Sequence, residues 1–366
     1  MEINRVLVDL SAISHNVAQI RRRIGPDCLL MAVVKSDGYG HGAIEIARTS
    51  LQGGANWLGV SYPREGELLR QAGFKAPILI FGSILSAEAE RVVQNDLRQT
   101  VTDLKILKAL DSAANLYKKK AFVHLKIDTG MGRIGLRPED AVSFLLEAKG
   151  FPNIELEGIY THLSSADDPE ANYTIRQLEV FEALLAAIRK KGLYVPIKHC
   201  ANSAATLNFP QAYYDLVRPG IMLYGLYPED RGALTIDVRP AMTMLSKISA
   251  LKTVPAGTSI GYLRTFVTRK MTRVATVPLG YGDGYSRLFS NRGQVEIRAK
   301  RAQIIGNVCM NAFMIDVSEI DDAEVWDDVL LFGGGLSVHE VARTKGTIVQ
   351  EIVSVLGRIN PRYYLS

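Results

Sequence analysis

A parallel (β/α)8 barrel followed by a smaller, mostly β domain is the α/β architecture this sequence predicts, and three observations predict it. Between residue 28 and about residue 220, short apolar strands alternate with helical segments eight times over. From about Arg239 that alternation stops, and the chain reads as strands separated by turn signals. At 366 residues the chain has room for both, since such a barrel takes about 200–250 residues.

The barrel strands, in order, are Cys28–Lys35, Trp57–Ser61, Pro77–Phe81, Arg98–Val101, Ala121–Asp128, Ile154–His162, Val195–Cys200 and Asp215–Arg218. Most are short apolar runs, as expected of strands covered on both faces. Between them lie segments of helical periodicity: Gly42–Gln52, Pro63–Ala72, Ala87–Asn95, Leu104–Tyr117, Glu139–Lys149 and Glu170–Lys191. Pro63 and Pro138 suit a first helical turn, while Gly53, Gly73, Gly150 and Gly192 suit helix ends. Eight such repeats in succession point to a closed barrel of the TIM type rather than an open sheet.

The second half offers Met242–Val254, Arg273–Pro278, Gln294–Ile297, Ala302–Val308, Phe313–Val317 and Val329–Phe332 as strands. Only two short helical stretches follow, near Ser337–Thr344 and Thr347–Leu356. The expected division is therefore a barrel over 1–238 and a β domain over 239–366, with a first strand in 1–10 pairing with the C-terminal domain.

Composition excludes several classes. Hydrophobic residues at 47% and charged residues at 22% describe an ordinary globular chain. The net charge of +5 is thinly spread; Arg21–Arg23 and Lys118–Lys120 read as solvated helix ends, and no basic stripe interleaved with aromatics suggests nucleic acid. No apolar run approaches the ~20 residues that span a bilayer. The opening Met-Glu-Ile-Asn-Arg-Val-Leu-Val-Asp lacks a basic-then-apolar signal pattern. Cys28, Cys200 and Cys309 lie far apart without metal-ligand spacing, which reads as free thiols in a cytoplasmic protein and no metal.

Chemistry concentrates at the strand C-terminal ends, which face the reaction mouth in such barrels. Val-Val-Lys-Ser-Asp-Gly-Tyr-Gly-His-Gly (33–42) runs from an apolar strand into a lysine and then a glycine-punctuated turn. Burial disfavours an ammonium, and a partly neutral amine suits Schiff-base chemistry with a carbonyl. Taken alone, Lys35 reads equally as a lysine reaching to solvent from a strand end. Further ends add Tyr39, Lys126, Arg133, His162, Asn202, Ser203 and Arg218, with Gly220 and Ile221 supplying backbone N–H groups where barrels commonly hold phosphate. His124 and His199, inside strands, are assigned to structure.

These residues carry a family resemblance. Ala-Val-Val-Lys-Ser-Asp-Gly-Tyr-Gly-His-Gly (32–42), Lys-Ile-Asp-Thr-Gly-Met-Gly-Arg (126–133), Thr-His-Leu-Ser-Ser-Ala-Asp (161–167) and Arg-Pro-Gly-Ile (218–221) resemble alanine racemase. Gly-Tyr-Gly-Asp-Gly-Tyr (280–285) and Cys-Met-Asn (309–311) continue it in the second half. The resemblance implies a pyridoxal 5′-phosphate enzyme that interconverts L- and D-alanine by two bases, supplies D-alanine for peptidoglycan, and works as a cytoplasmic homodimer with shared active sites. On that basis Lys35 would carry the cofactor. Tyr39, Ser203, Gly220 and Ile221 would hold its phosphate, and Asn202 lies in the same cofactor-binding stretch. Arg218 would meet the pyridine nitrogen, with His162 behind it. Tyr262 would be the second base, reaching across the dimer and favoured as phenolate by cations such as His162 or Arg218. Arg133, Met310 and Tyr281 would bind substrate, and Lys126 matches a lysine often carbamylated in the family.

Three positions depart from the family pattern. Asn311 stands where aspartate is usual, Leu263 where glycine is common, and Gly357 aligns with a tyrosine that narrows the pocket in some members. A roomier site that accepts serine or larger amino acids beside alanine is the expected consequence. Rival readings remain: a racemase of the same fold with another main substrate, a non-catalytic pyridoxal phosphate carrier, which lacks a β domain and a second base, and a decarboxylase of related fold, which would have an acidic residue at the position of Arg218.

Overall fold

The computed structural model describes residues 2–168, 170–228 and 236–366. It divides into two compact units: Ile13–Gly38 with Ala43–Arg239, and Met1–Ala12 with Tyr39–Gly42 and Pro240–Ser366. Strand β1 (Arg5–Asp9) belongs to the second unit.

The first unit is built on eight parallel strands: β2 (Leu29–Val33), β3 (Trp57–Val60), β4 (Ile78–Ile80), β5 (Arg98–Val101), β6 (Ala121–Lys126), β7 (Ile154–Tyr160), β8 (Ile197–His199) and β9 (Leu216–Val217). Their order around the sheet is β8-β7-β6-β5-β4-β3-β2-β9. Between the two ends the backbone continues the closure, with Asp215 N–H donating to the Lys198 carbonyl at 3.0 Å and Arg218 N–H to Ala201 at 2.9 Å. All eight predicted strands are present, each within a few residues of its expected limits. Every residue of β3 and β4 is buried, which is why they read as unbroken apolar runs.

Helices cover the outside, and their ends follow local chemistry. Asp103 caps Leu104–Tyr117 by accepting from Ile106 N–H at 2.9 Å, and Lys118 closes it in the left-handed conformation (φ 52°). The basic runs do more than meet solvent. Arg21 donates to the Cys28 carbonyl at 2.6 Å and to Asn56 Oδ1 at 2.7 Å, and Lys119 pairs with Asp96 at 2.8 Å.

The second unit carries β10 (Met242–Lys247), β11 (Ala250–Val254), β12 (Ser259–Ile260), β13 (Phe266–Val267), β14 (Thr272–Val277), β15 (Gln294–Ile297), β16 (Lys300–Ile305), β17 (Phe313–Asp316), β18 (Asp328–Phe332) and β19 (Arg362–Leu365). Nine strands form one sheet in the order β11-β14-β17-β16-β15-β18-β10-β1-β19, and β12 and β13 make a separate ribbon. β1 pairs antiparallel with β10 and parallel with β19.

One expectation is corrected here. Met242–Val254 is two strands, because the chain changes partners between them: Ile248 N–H donates to Asp327 and Ser249 N–H to Thr276. The two predicted helices occur as Val338–Lys345 and Val349–Ile359. In the second of these, Gly357 lies against the backbone of the glycine-rich turn: a Cβ there would stand 2.3 Å from the Gly40 carbonyl oxygen. The three cysteines are free thiols.

Candidate active site

The strand register sets the layers of the barrel mouth. Lys126 on β6, Tyr160 on β7 and His199 on β8 are direct register partners across three strands. Tyr160 stacks on the His199 ring with centroids 4.5 Å apart and planes 5° apart. Lys126 Nζ lies 5.0 Å and the Arg218 guanidinium carbon 5.1 Å from the Tyr160 ring centre, so two cations share one aromatic face system. The Tyr160 hydroxyl bonds Thr100 at 2.8 Å, and burial pushes its pKa up to about 12.

Arg218 is buried without a carboxylate partner among its hydrogen bonds. Its guanidinium contacts His199 Nδ1 at 2.8 Å and donates to the carbonyls of Thr161 (2.8 Å) and Cys200 (2.9 Å). Burial lowers its pKa to about 10, so it remains protonated at neutral pH. The partner behind Arg218 is thus His199, which the sequence reading assigned to structure, rather than His162.

The bonding continues beyond His199. His199 Nε2 meets His124 Nδ1 at 2.8 Å, and His124 Nε2 meets Glu157 Oε2 at 3.3 Å, where Arg98 also bonds at 3.2 Å. Burial lowers the pKa of both imidazoles, that of His199 to well below the ordinary value. Arginine only donates, so a neutral His199 accepts at Nδ1 and carries its proton on Nε2. His124 then accepts at Nδ1 and donates from Nε2 to Glu157. The β6–β7 register shifts between Val123 and His124, where Leu156 and Gly158 flank Glu157, and this bulge aims Glu157 at His124. Gly158 leaves the space: a Cβ there would sit 2.4 Å from His124 Nδ1.

Around this frame the positive groups collect. Burial and the charges of Arg218, Lys126, Arg133 and Lys35 hold His162 well below the ordinary imidazole pKa. His162 is therefore neutral near pH 7, and any cationic influence in the mouth comes from the arginines and lysines. Burial, then Arg218, pushes Lys126 down to about 7; its Nζ donates to the Ile127 carbonyl at 2.9 Å. Lys35 is lowered by burial first and then by Arg133, with Glu65 acting in the opposite direction. Arg133 is exposed and follows a loop that Asp128 organises by accepting Gly130 N–H (2.9 Å) and Gly132 N–H (3.1 Å).

At the closing end of the barrel, Ser203 Oγ accepts Gly220 N–H at 2.9 Å and Met222 N–H at 3.3 Å. Asn202 caps the helix Ser203–Asn208 through Ala205 N–H at 3.0 Å, and its amide donates to Leu163. Gly220 opens the short turn Ile221–Tyr224, whose first N–H groups have no acceptor within the turn. Lys35, Lys126, Arg133, His162, Arg218, Asn202, Ser203, Gly220 and Ile221 thus all belong to the barrel unit.

The remaining predicted residues lie in the second unit, Tyr39 among them with φ 51°. Asn307 Nδ2 donates to the Tyr262 carbonyl at 2.8 Å. Tyr281 N–H donates to Cys309 and Gly282 N–H to Met310, which zips the 280–285 loop to 309–311. Asn311 Nδ2 reaches Asp283 at 3.2 Å. Side chains here stand in the open: Tyr262 is 71%, Leu263 80% and Met310 57% exposed. Among the described residues, no cluster of His, Cys, Asp or Glu could hold a metal, and no helix is long and apolar enough to cross a membrane.

An eight-stranded parallel barrel with a desolvated lysine in a cationic mouth, joined to a β unit, defines a two-domain barrel enzyme fitted to an anionic, carbonyl-bearing cofactor. Two family models match, "Alanine racemase, N-terminal domain" over residues 8–228 and "Alanine racemase, C-terminal domain" over 241–364. Alanine racemase of Desulfovibrio desulfuricans is 42% identical over 359 residues, covering 98% of this chain and 97% of the relative. That of Desulforamulus reducens is 43% identical over 363 residues, covering 98% of each. The solved alanine racemase of Clostridium difficile 630 superposes with a TM-score of 0.96 at 33% identity, covering 100% of this chain and 96% of that one. The chain belongs to the alanine racemase family, whose cofactor is pyridoxal 5′-phosphate.

The residues present fit that cofactor. Lys35 offers a desolvated amine, Ser203 Oγ and the Ile221 N–H at the start of the 221–224 turn suit a phosphate, and Arg218 offers a donor that cannot accept.

Proposed function

We propose that this chain interconverts L- and D-alanine using pyridoxal 5′-phosphate, with Lys35 and Tyr262 as the two proton carriers. The observation that carries the reading is the Lys35 amine at the end of β2, whose pKa is lowered by burial and then by Arg133. When bound, the cofactor supplies a carbonyl for the substrate amine and a conjugated ring that acidifies the Cα–H. Lys35 would hold it covalently, Ser203, Gly220, Ile221 and Tyr39 would bind its phosphate, and Asn202 shapes that end through its cap on the 203–208 helix.

Arg218 would face the ring nitrogen as a donor. Being permanently protonated, it leaves that nitrogen neutral and limits the electron withdrawal at Cα, which favours return of a proton over decarboxylation or transamination. Lys35 takes or returns the proton on one face of Cα and the Tyr262 phenol serves the other. Arg133 and the Met310 N–H orient the substrate carboxylate, with Tyr281 beside them. Lys126, about half neutral at pH 7, is reactive enough to take up carbon dioxide; the resulting carbamate would place a negative charge near Arg133.

The exposure of Tyr262, Leu263 and Met310 supports a homodimer in which each β unit completes its partner's site. A cytoplasmic location and supply of D-alanine to peptidoglycan belong to the same reading. The test is a chiral assay on purified protein with borohydride trapping and peptide mapping. Wild type should racemise alanine and carry its label on Lys35, while Tyr262→Phe should slow one direction of proton exchange more than the other. Label on another lysine, or equal mild effects in both directions, would refute the assignment.

A further inference from the structure

Lys35 leaves β2 through a backbone that L-residues seldom adopt. Ser36 (φ 55°, ψ 45°), Asp37 (φ 55°, ψ 52°) and Gly38 (φ 61°, ψ 44°) are left-handed in succession. Such residues normally occur singly, because the Cβ crowds the following carbonyl. A run of three with two side chains must be held in place. Within the turn, Gly38 N–H donates to Val34 and Ala43 N–H to Asp37 Oδ1, each at 2.8 Å.

A further grip comes from a different strand end. Glu65 Oε1 accepts Ser36 N–H at 2.7 Å, and Glu65 Oε2 accepts Ser61 N–H at 2.6 Å and Tyr62 N–H at 3.1 Å. Glu65 is the third residue of the helix Pro63–Gln71, where a glutamate ordinarily reaches back to the N-cap N–H alone. The Tyr62 bond meets that need. The Ser36 and Ser61 bonds go beyond it and tie the ends of β2 and β3 together through one carboxylate.

We propose that Glu65 is a positioning residue for Lys35: by holding Ser36 N–H it fixes the turn that begins directly after the lysine, and so the direction in which the amine enters the barrel mouth. The proposal rests on the reading of Lys35 as the cofactor-bearing lysine. Its charge adds a second effect. Burial and Arg133 disfavour the Lys35 ammonium, Glu65 favours it, and His162, held neutral by burial and the surrounding cations, adds no charge of its own. Glu65 thereby raises the basicity of the group that exchanges the proton, against burial and Arg133.

The test compares full-length wild type, Glu65→Gln and Glu65→Asp, each checked for folding by thermal unfolding. The amide of Glu65→Gln retains one accepting oxygen, so it can serve Ser36 or the Ser61–Tyr62 pair but not both. Glu65→Asp retains the charge on a shorter arm. Two readouts are taken: kcat and KM for alanine in the holoenzyme, and the pH midpoint for acetylation of Lys35 by acetic anhydride, followed by mass spectrometry on the cofactor-free chain. Glu65→Gln should lower kcat by about 10–100-fold with little change in KM, as a misplaced reacting group does, and should shift the Lys35 midpoint to lower pH. Glu65→Asp should restore the midpoint more fully than kcat. A lower melting temperature with kcat and midpoint unmoved would make Glu65 a helix cap only and overturn the proposal. Should Glu65→Gln fail to fold, an unchanged kcat in Glu65→Asp would overturn it equally. Wild-type borohydride label on another lysine would sink the reading of Lys35 itself, while the acetylation midpoints would still decide whether Glu65 acts on that amine.

Discussion

Replacing Lys126 by methionine removes a buried amine while keeping a chain of similar length, and its consequence for stability follows from the titration of the native group. In the folded chain Lys126 is pushed down to about 7, chiefly by burial and then by Arg218. In the unfolded chain its pKa returns to about 10.4. The folded value lies below the unfolded one, so the unfolded state binds more protons between these limits and stability rises with pH. Below about pH 7 the penalty for burying the amine is complete and constant; above about pH 10 it is gone. Integrating between pH 7 and pH 9 gives a gain of about 2 kcal/mol from this one residue. Guanidinium unfolding of wild type and Lys126→Met, in buffer freed of carbon dioxide, isolates the effect, because titrating groups not coupled to Lys126 cancel in the difference. Wild type should gain about 2 kcal/mol relative to the variant across that window. Parallel curves would refute the reasoning. Bicarbonate should reduce the wild-type slope, since carbamylation removes the titrating amine.

Three further outcomes are expected. Gly158→Ala drives a methyl group to within 2.4 Å of His124, whose ring is already packed against Trp57 and His199, and should cost about 1–3 kcal/mol in thermal or denaturant unfolding. Glu157→Gln offers His124 Nε2 an amide in place of a carboxylate; nitrogen-15 spectra of His124 and His199 should show altered proton placement, and unchanged spectra would remove Glu157 as the anchor of the chain. In a chiral assay over alanine, serine, lysine and arginine, alanine should give the highest kcat/KM with serine also turned over, and turnover confined to alanine would end the inference drawn from Gly357.

The barrel was legible because its strands are covered on both faces and several of its helices end at or just before glycine. The β unit was legible in outline only. Lys247-Ile248-Ser249-Ala250 carries neither glycine nor proline, so nothing local marks the point where β10 ends and β11 begins. That break is a tertiary event, made when Ile248 and Ser249 turn to Asp327 and Thr276. β19 was missed for a related reason: a four-residue edge strand whose partner, β1, lies at the other end of the chain has no signature in its own neighbourhood.

At the candidate site, motif residues were legible wherever they stood at strand C-terminal ends. Glu65 and the series Glu157, His124 and His199 were not, because their roles depend on a left-handed turn and on a bulge that single-sequence spacing does not reveal. His199 is the instructive case. A histidine within a strand is reasonably assigned to the core, and His199 is fully buried. Yet Arg218, 2.8 Å away, can only donate, so His199 must accept. A protonated His199 would set two cations and two donors against each other in a water-free interior, and burial together with Arg218 excludes that state. The neutral form fixes each following proton in turn, on His199 Nε2 and then on His124 Nε2, until the series ends on the one group able to accept without donating, the Glu157 carboxylate.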